Sequence, residues 1–377
     1  MRVVFNFPGE FGYFTDIYEY CTILRSKGIE VHYIGVGSAD TITEHEVEGV
    51  RVTAIPSGAG LRSVLKKMTE ITDSLKPDIV HNFNFRGCVL LPLLSRYKKA
   101  RWIVDVRSRY AGNIRGNSRF HWIRNRMTWV ETFPYHHILI IAEPLRRMLF
   151  PSPRPVDLIP LGASKSRFSG EDRSEMRKAI RNEHNIPEHA PVLLYAGIVH
   201  PKRKTGDLID AFNLVRQSGV DAYFFFVGAG DNPEFLEDLK KKADDYGLNG
   251  SVIFTGRVPY YEVRKYYFAS DIGLSYTPVG TPFELQPSTK LIEYMMSGLV
   301  SVSNKTKMAE IYVKDNINGV LCGDGADGLA SGMHRALKVL EDPGAMIRNA
   351  REAVEEYDWE RIVTDRLLPY YKKILTK

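Results

Sequence analysis

The chain has 377 residues, of which 44% are hydrophobic and 25% charged, and its formal net charge is +6. This length and composition predict a globular protein of two or three domains. They exclude a membrane-spanning protein, because no apolar run approaches the ~18 residues of a span, and the start of the chain does not resemble a signal peptide. Cys21, Cys88 and Cys322 are odd in number and far apart, which favours core residues in a reducing compartment, so we expect a cytoplasmic protein.

Strands and helices alternate along the first part of the chain. Apolar runs predict strands at 2–7, 29–37, 50–56, 78–85, 101–110, the first part of 137–150 and the first part of 156–163. Helices are predicted at 15–27, at 61–77, in part of 86–97 and in the second part of 137–150. This order predicts a doubly wound parallel sheet, in which ligands bind at the carboxyl ends of the strands. The first loop lacks G-x-G-x-x-G, so a dinucleotide fold of the usual kind is not supported.

Residues 96–154 form a basic segment. They hold 13 Lys and Arg against three acids, so the segment carries +10 and the rest of the chain about −4. Nine aromatic residues lie in it, among them Trp102, Trp122, Trp129 and Phe133. This mixture suits an anionic membrane surface or a phosphate-bearing substrate, and it would also suit nucleic acid. A solvated basic face around ordinary core aromatics explains it equally well.

A second alternating series follows a polar segment. Residues 164–190 are charged and have no strand pattern, so we interpret them as a linker. Strands are then predicted at 191–199, 221–231, 251–258, 271–278, 299–304 and 319–325. Helices are predicted at 207–219, 233–248, 260–270, 326–340, 344–356 and 359–375. The fold class is therefore α/β, with two doubly wound Rossmann-like domains that face a central cleft.

The stretch 283–298 (FELQPSTKLIEYMMSG) is the most informative in the chain. It predicts a helix that begins after an N-cap at Ser288 and ends at Gly298. Its first turn carries Thr289 and Lys290 beside free backbone N–H groups, which suits a diphosphate. Glu293, one turn further, could accept hydrogen bonds from a ribose diol. The alternative is a capped core helix with a solvated Lys–Glu pair.

Several stretches, in this order and spacing, resemble a glycosyltransferase of family GT4, a retaining, nucleotide-sugar-dependent family with the GT-B fold. The matching stretches are 76–81, 159–168, 193–212, 225–231, 252–263, 269–278 and 287–302, and 357–371 is similar to the last helix of the family. The resemblance implies an acceptor-binding domain at 1–168 and a donor-binding domain at 185–356. It also implies that the helix at about 359–377 packs back on the first domain.

The resemblance assigns roles residue by residue. Loop 200–206 would approach the donor diphosphate, the strand end at 257–258 would hold the base, and Glu293 would bind the ribose. The implied donor-binding residues are Gly197, Gly228, Gly230, Arg257, Val258, Ser288, Thr289, Lys290 and Glu293.

The chain also departs from the family pattern. Ile198 stands where Arg is common, so Lys202, Arg203 and Lys204 would supply the charge from the loop. Leu285 stands at the first Glu of the family's Glu-x7-Glu pair, and Glu284 is its neighbour. Arg107 stands where a histidine is often found, which suggests an acceptor or phosphate contact. A structural ion pair of Asp105 with Arg107 or Arg109 explains these residues equally well.

The expected chemistry follows from charge. Cleavage of a sugar–diphosphate bond builds negative charge on the leaving group, and fixed cations and helix N–H groups stabilise it. We therefore predict metal-independent transfer without a cofactor, because the sequence has no Asp-x-Asp and no cluster with metal-ligand spacing. The family resemblance implies that the transfer proceeds with retention. The residues expected to act in transfer are Lys204, Arg203, Glu284 and Arg107.

The acceptor is expected on the first domain. Gly12, Tyr13 and Asp105 would contact it, and the basic segment suggests a glycan or lipid-linked acceptor at the inner face of a membrane. A UDP-sugar is the first candidate for the donor and a GDP-sugar the second, and no nucleic-acid partner is expected. Two other functions stay open: a nucleotide-sugar epimerase, and a non-catalytic partner that keeps the fold, which Ile198 and Leu285 would favour.

Overall fold

The computed structural model describes residues 1–108, 121–151, 154–170, 172–230, 232–281 and 283–376, and for 121–125 the backbone alone. The chain divides into two compact units. Unit 1 consists of Met1–Leu161 together with Trp359–Lys377, and unit 2 of Gly162–Asp358. Each unit is an α/β layer structure built on its own sheet.

Unit 1 is built on a sheet that has eight strands within the described residues. They are β1 Arg2–Asn6, β2 Glu30–Gly37, β3 Thr43–Val47, β4 Val50–Pro56, β5 Ile79–Phe83, β6 Arg101–Val106, β7 His137–Ile140 and β8 Asp157–Leu158. Their order in the sheet is β3-β4-β2-β1-β5-β6-β7-β8. Neighbouring strands run parallel except β3 and β4. The central strands are buried on both faces, as doubly wound packing requires.

Strand β3 is an edge strand that the sequence analysis missed. It joins β4 through a two-residue turn at Glu48 and Gly49, which both have positive φ. A turn of this kind matches the twist of a hairpin. Because β3 is largely exposed and carries charged residues, it lacks the apolar run by which the other strands were found.

The helices of unit 1 cover both faces of its sheet. They are α1 Thr15–Ser26, α2 Leu61–Leu75, α3 Leu90–Leu94, α4 His121–Glu131 and α5 Glu143–Leu149. The C-terminal helix also belongs to this unit, and its Trp359 is fully buried against Tyr20 of α1.

Unit 2 has a sheet with six parallel strands among its described residues. They are β9 Val192–Ala196, β10 Tyr223–Val227, β11 Val252–Gly256, β12 Ile272–Ser275, β13 Val300–Asn304 and β14 Val320–Cys322, in the order β11-β10-β9-β12-β13-β14. Side chains of β9 alternate between two apolar cores: Leu193 and Tyr195 face one, Leu194 and Ala196 the other. Helices therefore cover both faces of this sheet as well.

The remaining helices lie in order along the chain. Those of unit 2 are α6 Lys165–Phe168, α7 Arg173–Glu183, α8 Gly206–Gln217, α9 Pro233–Asp245, α10 Tyr260–Ala269, α11 Thr289–Ser297, α12 Ala309–Tyr312, α13 Gly325–Val339 and α14 Gly344–Val354. The C-terminal helix of unit 1 consists of α15 Trp359–Arg361, a π-helical stretch Ile362–Leu367 and α16 Leu368–Leu375. None of the described helices is long and apolar enough to span a bilayer.

The interpretation of 164–190 as a linker is wrong. The segment contains α6 and α7, which pack into unit 2. Arg181 of α7 is fully buried, forms an ion pair with Asp271 (2.8 Å) and donates to the Ala269 carbonyl (3.0 Å). The charged residues that suggested a linker include the side chain that anchors α7 to the sheet.

Candidate functional site

Helix α11 has the bounds that the sequence predicts. Ser288 precedes it in extended conformation, and Gly298 ends it with a left-handed φ of 85°. The Ser288 hydroxyl does not cap the helix, however, because it lies 2.7 Å from the Ser275 hydroxyl at the end of β12. The backbone N–H groups of the first turn thus donate no hydrogen bond to this side chain, which leaves the positive end of the helix open to an anion.

Lys290 lies in the first turn of α11 and is partly buried. Its Nζ is 4.5 Å from the centroid of the Tyr195 ring, and it packs against the backbone of Gly197 at the end of β9. Burial and, second to it, the charge of Arg203 lower the pKa of the Lys290 ammonium to about 7, against the opposing effect of Glu293. The surroundings of this lysine therefore disfavour its charged form.

Arg203 and Lys204 lie in the basic loop after β9. The Arg203 guanidinium stacks on the Phe283 ring at 4.2 Å. Lys204 is exposed and has a left-handed backbone with φ of 46°, which is uncommon outside glycine. Strained backbone of this kind is frequent at ligand-binding sites.

Lys290 and Arg203 share one electrostatic feature. Within the described chain, neither side chain forms a hydrogen bond or an ion pair with a carboxylate, and Glu293 acts on Lys290 only through space. Two neighbouring cations without a directly bound anion form a region of positive potential. A phosphate or diphosphate would complete it.

Glu293 is buried, so the solvated Lys–Glu pair of the alternative interpretation is wrong, although α11 is a core helix as that interpretation expects. Its side chain is 5% exposed and accepts a hydrogen bond of 2.6 Å from the Tyr267 hydroxyl. Tyr267 lies on α10, and its ring packs 5.3 Å from that of Tyr294. The carboxylate is therefore held in place by a neighbouring helix, and a carboxylate can accept several hydrogen bonds at once.

The glycines near the ends of β9 and β10 are required by close packing. A Cβ at Gly228 would lie 2.0 Å from the Gly197 carbonyl oxygen, and one at Gly230 would lie 1.8 Å from the Val199 carbonyl oxygen. The two loops are joined by a hydrogen bond of 2.9 Å from Gly197 N–H to the Val227 carbonyl. Backbone contact thus accounts for Gly228 and Gly230 whether or not a donor binds there.

The other predicted residues of unit 2 lie nearby in the chain but have different surroundings. Arg257 is exposed, and Val258 packs against the apolar core on the α7–α10 side. Glu284 accepts a hydrogen bond of 3.1 Å from Gly280 N–H, so in this structure it fastens its own loop.

In unit 1 a cluster of charged side chains surrounds Arg107. Its guanidinium donates to Asp105 at 2.6 Å and lies 2.9 Å from Asp16 of α1. It also lies over the rings of Tyr20 (4.9 Å) and Phe83 (5.2 Å). Of the two ion pairs that the sequence left open, the Asp105–Arg107 pair forms, while Arg109 lies outside the described residues.

Asp105 also binds the buried His81. The His81 Nε2 lies 3.3 Å from the carboxylate, and its Nδ1 lies 2.5 Å from the Tyr371 hydroxyl of α16. Burial lowers the pKa of His81, which keeps the ring neutral. Burial alone would raise the pKa of Asp105, but Arg107 and His81 together hold it below its ordinary value.

The burial of Asp105 changes its expected role. Its side chain has no exposed surface, whereas Arg107 is 14% and Asp16 21% exposed. We therefore revise Asp105 from a direct acceptor contact to the anchor of Arg107. Tyr13 is partly exposed in the loop before α1, and Gly12 of that loop is buried.

Sequence reasoning missed the partners that position the predicted residues. Tyr267, Tyr195 and Phe283 contact Glu293, Lys290 and Arg203, and Asp16 and His81 complete the cluster in unit 1. Most of these pairs are tens of residues apart, so no local spacing indicates them. Among the described residues there is no group of three or more His, Cys, Asp or Glu arranged to hold a metal ion.

Comparison with known families places the site in context. Residues 176–353 match the family described as glycosyl transferases group 1. The chain is 25% identical over 329 residues to the alpha-monoglucosyldiacylglycerol synthase of Streptococcus pneumoniae, a match that covers 84% of this chain and 73% of that protein.

Solved structures show the same fold. The sucrose-phosphate synthase of Thermosynechococcus elongatus superimposes with a TM-score of 0.77 at 16% identity, over 100% of both chains. Anabaena Alr3699/HepE in complex with UDP-glucose superimposes with a TM-score of 0.76 at 13% identity, over 100% of this chain and 99% of that one.

Proposed function

We propose that this chain is a glycosyltransferase that moves a sugar from a nucleotide-sugar donor with retention and without a metal ion. The match of residues 176–353 to the glycosyl transferases group 1, the glycosyltransferase relative and the shared GT-B fold support this proposal. A UDP-sugar is the first candidate for the donor, and a GDP-sugar the second. The complex of HepE with UDP-glucose supports this order. The acceptor is a glycan or a lipid-linked molecule.

The observation that carries the proposal is a pair of neighbouring cations, Lys290 in the first turn of α11 and Arg203 in the loop after β9. Lys290 and Arg203 lack a carboxylate partner in the described chain, and helix N–H groups point to the same region. A donor diphosphate would neutralise both charges. It would also restore the ordinary protonation of Lys290, so the donor gains more than a surface salt bridge would provide.

These cations also fit the chemistry of transfer. The bond between the anomeric carbon and the diphosphate oxygen breaks, and the electron pair leaves with the nucleoside diphosphate. The acceptor oxygen bonds to the anomeric carbon from the leaving-group face, and its proton passes to the released phosphate oxygen. Lys290, Arg203 and the exposed Lys204 would stabilise the charge that develops on that phosphate, a role that a divalent metal fills in other enzymes.

Glu293 gives the site a means of holding the nucleoside. Tyr267 fixes the carboxylate at 2.6 Å, and a carboxylate, which can accept several hydrogen bonds at once, suits the two hydroxyls of a ribose. The base would lie near Arg257 and Val258, where backbone groups follow β11.

The proposed acceptor is inferred from the residues of unit 1 and from the similarity to the Streptococcus pneumoniae protein. The Streptococcus pneumoniae protein is named as a glucosyldiacylglycerol synthase, which favours a lipid-linked acceptor here. The exposed edge of Arg107 and Asp16 could bind acceptor hydroxyls. Such an enzyme would work in the cytoplasm at the inner face of the membrane.

A thermal-shift titration tests the donor site. We expect UDP or GDP, or their sugars, to raise the melting temperature in the presence of EDTA, because a ligand that binds only the folded state stabilises it. The shift should be lost in Glu293→Ala and Lys290→Met and kept in Lys307→Met, which changes an exposed lysine of unit 2.

The configuration of the product and the effect of divalent ions on the thermal shift complete the test. Sugar release from the preferred donor, followed by NMR of the product anomer, should show retained configuration. A shift that needs a divalent ion would overturn the metal-independent part, and no shift with any nucleotide diphosphate would overturn the donor site itself.

A further inference from the structure

The described end of helix α4 has an inverted distribution of polar and apolar side chains. Its buried positions are polar: Thr128 is 0% and Glu131 5% exposed. Apart from Arg126, its exposed positions are apolar, with Met127 at 38%, Trp129 at 40%, Val130 at 48% and, just after the helix, Phe133 at 66%. Surface helices of globular proteins normally show the opposite arrangement.

Hydrogen bonds hold α4 in this orientation. The Glu131 carboxylate accepts from the backbone N–H groups of Gly87 (2.9 Å) and Val89 (3.1 Å), next to the start of α3. Arg154 donates to the Thr132 hydroxyl (3.1 Å) and carbonyl (2.6 Å). The helix cannot rotate its apolar side chains inward without breaking these bonds, so their exposure is built into the fold.

Helix α3, which begins beside Glu131, adds further exposed leucines. Leu90 is 40%, Leu93 61% and Leu94 51% exposed. We call these three leucines together with Trp129, Val130 and Phe133 the α3–α4 surface. Clusters of this kind on a soluble protein mark an interaction site rather than ordinary surface.

The exposed charges near this surface along 84–136 are positive, although Asp73 of α2, which is partly exposed, accepts hydrogen bonds from the Ser95 hydroxyl (2.6 Å) and the Arg96 N–H (2.8 Å) just after α3. Arg86, Arg96, Lys98, Lys99 and Arg126 are exposed. The acids in the described parts of 84–136 are Asp105 and Glu131, and both are buried. A binding partner of this surface must therefore offer an apolar region that takes up the exposed side chains and negative charges that meet the surrounding Lys and Arg residues.

We propose that the α3–α4 surface inserts into the headgroup region of an anionic lipid bilayer. Trp and Phe side chains prefer the interface between headgroups and acyl chains, and flanking Lys and Arg bind the anionic headgroups. A second copy of the chain fits less well, because a twofold contact would bring the same cations together. The proposal rests on the membrane location proposed above and deepens it, because it names the surface that makes the contact, and this contact needs no donor.

The structure also shows which cations of the basic segment 96–154 are already bound by other groups of the protein. Arg107 is paired with Asp105, Arg146 and Arg147 with Glu143, and Arg154 with the Thr132 region. These cations are used within the fold. The membrane contact therefore begins before the segment, at Arg86, and relies on α3 and α4 rather than on the segment as a whole.

Vesicle sedimentation of the full chain tests the proposal. We expect binding to phosphatidylglycerol–phosphatidylcholine vesicles at low salt and release at high salt. Trp129→Ser/Phe133→Ser should weaken binding roughly tenfold or more, and Ile311→Ser/Ile317→Ser, which changes two equally exposed apolar residues of unit 2 (56% and 54%), should leave it unchanged. Lys99→Gln/Arg126→Gln should weaken it roughly 25-fold, whereas Lys372→Gln/Lys373→Gln, an exposed pair on α16, should not.

The outcomes separate this proposal from the donor site. Wild-type protein that stays in solution with anionic vesicles overturns it, as do equal effects of the test and control pairs. A dimer in sedimentation equilibrium that Trp129→Ser/Phe133→Ser dissociates would assign the surface to self-association instead. Unchanged thermal shifts with the nucleotide in these variants show that a loss of vesicle binding is not a loss of fold or donor site.

Discussion

The two units bury a cation in opposite ways. In unit 1, Arg107 has carboxylates at 2.6 Å and 2.9 Å, so although burial lowers its pKa, Asp105 and its other neighbours raise it above the ordinary value. In unit 2, Lys290 has an aromatic ring and a second cation as neighbours, and its pKa falls to about 7. The charge of Arg107 is thus neutralised by carboxylates of the same unit, whereas the charge of Lys290 has no directly bound carboxylate among the described residues.

This difference distinguishes a structural charge from a binding charge. A cation that is paired with carboxylates inside the fold contributes to the stability of the unit that contains it. A cation held without an anion costs folding free energy, which a ligand can return on binding. Three predictions test the contrast, in order of expected size.

Arg107→Met should lower the free energy of unfolding by about 3–5 kcal/mol, because it leaves the Asp105 carboxylate buried with its main cation removed. Urea unfolding measures this loss. Asp105→Asn/Arg107→Met should recover part of it, since the uncompensated charge is gone. A loss below about 1 kcal/mol in the single variant would mean that the cluster is not structural.

Lys290→Met should reduce kcat/KM with the preferred donor by about 10²–10³, the size expected for one preorganised cation at a developing charge. Its melting temperature should stay the same or rise, in contrast to Arg107→Met, because a partly buried and poorly compensated charge is removed. Steady-state kinetics and thermal unfolding of the same preparation check both parts. A variant that keeps full activity, or that loses stability as Arg107→Met does, would contradict the assignment.

The affinity for the donor should depend on pH through Lys290. Below its folded pKa of about 7 the ammonium is already charged, so affinity is flat; above it, binding must take up a proton, and affinity falls by up to tenfold per pH unit. Over the same window above about pH 7 the stability of the free protein should rise, because the unfolded lysine then binds more protons than the folded one.

Calorimetry with a UDP-sugar from about pH 6 to about pH 8 measures this linkage. The intact diphosphate of a nucleotide sugar does not titrate in this range, so the proton uptake reports on the protein. In Lys290→Arg the charge no longer titrates, and the pH dependence should disappear. A wild-type affinity that does not change with pH would show that Lys290 does not contact the donor.

Residues close in sequence carried most of the predictions that the structure confirms. The alternation of strands and helices, the bounds of α11 at Ser288 and Gly298, and the Asp105–Arg107 pair all depend on neighbours a few positions apart. Local spacing controls these features because helix and strand periodicity act over one or two turns. The edge strand β3 and the packed helix α7 escaped because their sequences are polar and their places are set by contacts with distant segments.

The sequence by itself determined the fold class, the family resemblance and which residue types could bind a diphosphate. Tertiary structure decided their electrostatic state: that Lys290 meets Tyr195 and Arg203, that Glu293 is fastened by Tyr267, and that Asp105 is buried behind Arg107. The reason is physical. Burial and the charges of nearby side chains change the free energy of an ionised group far more than its neighbours in the sequence do. Burial and these charged contacts arise only when distant parts of the chain pack together.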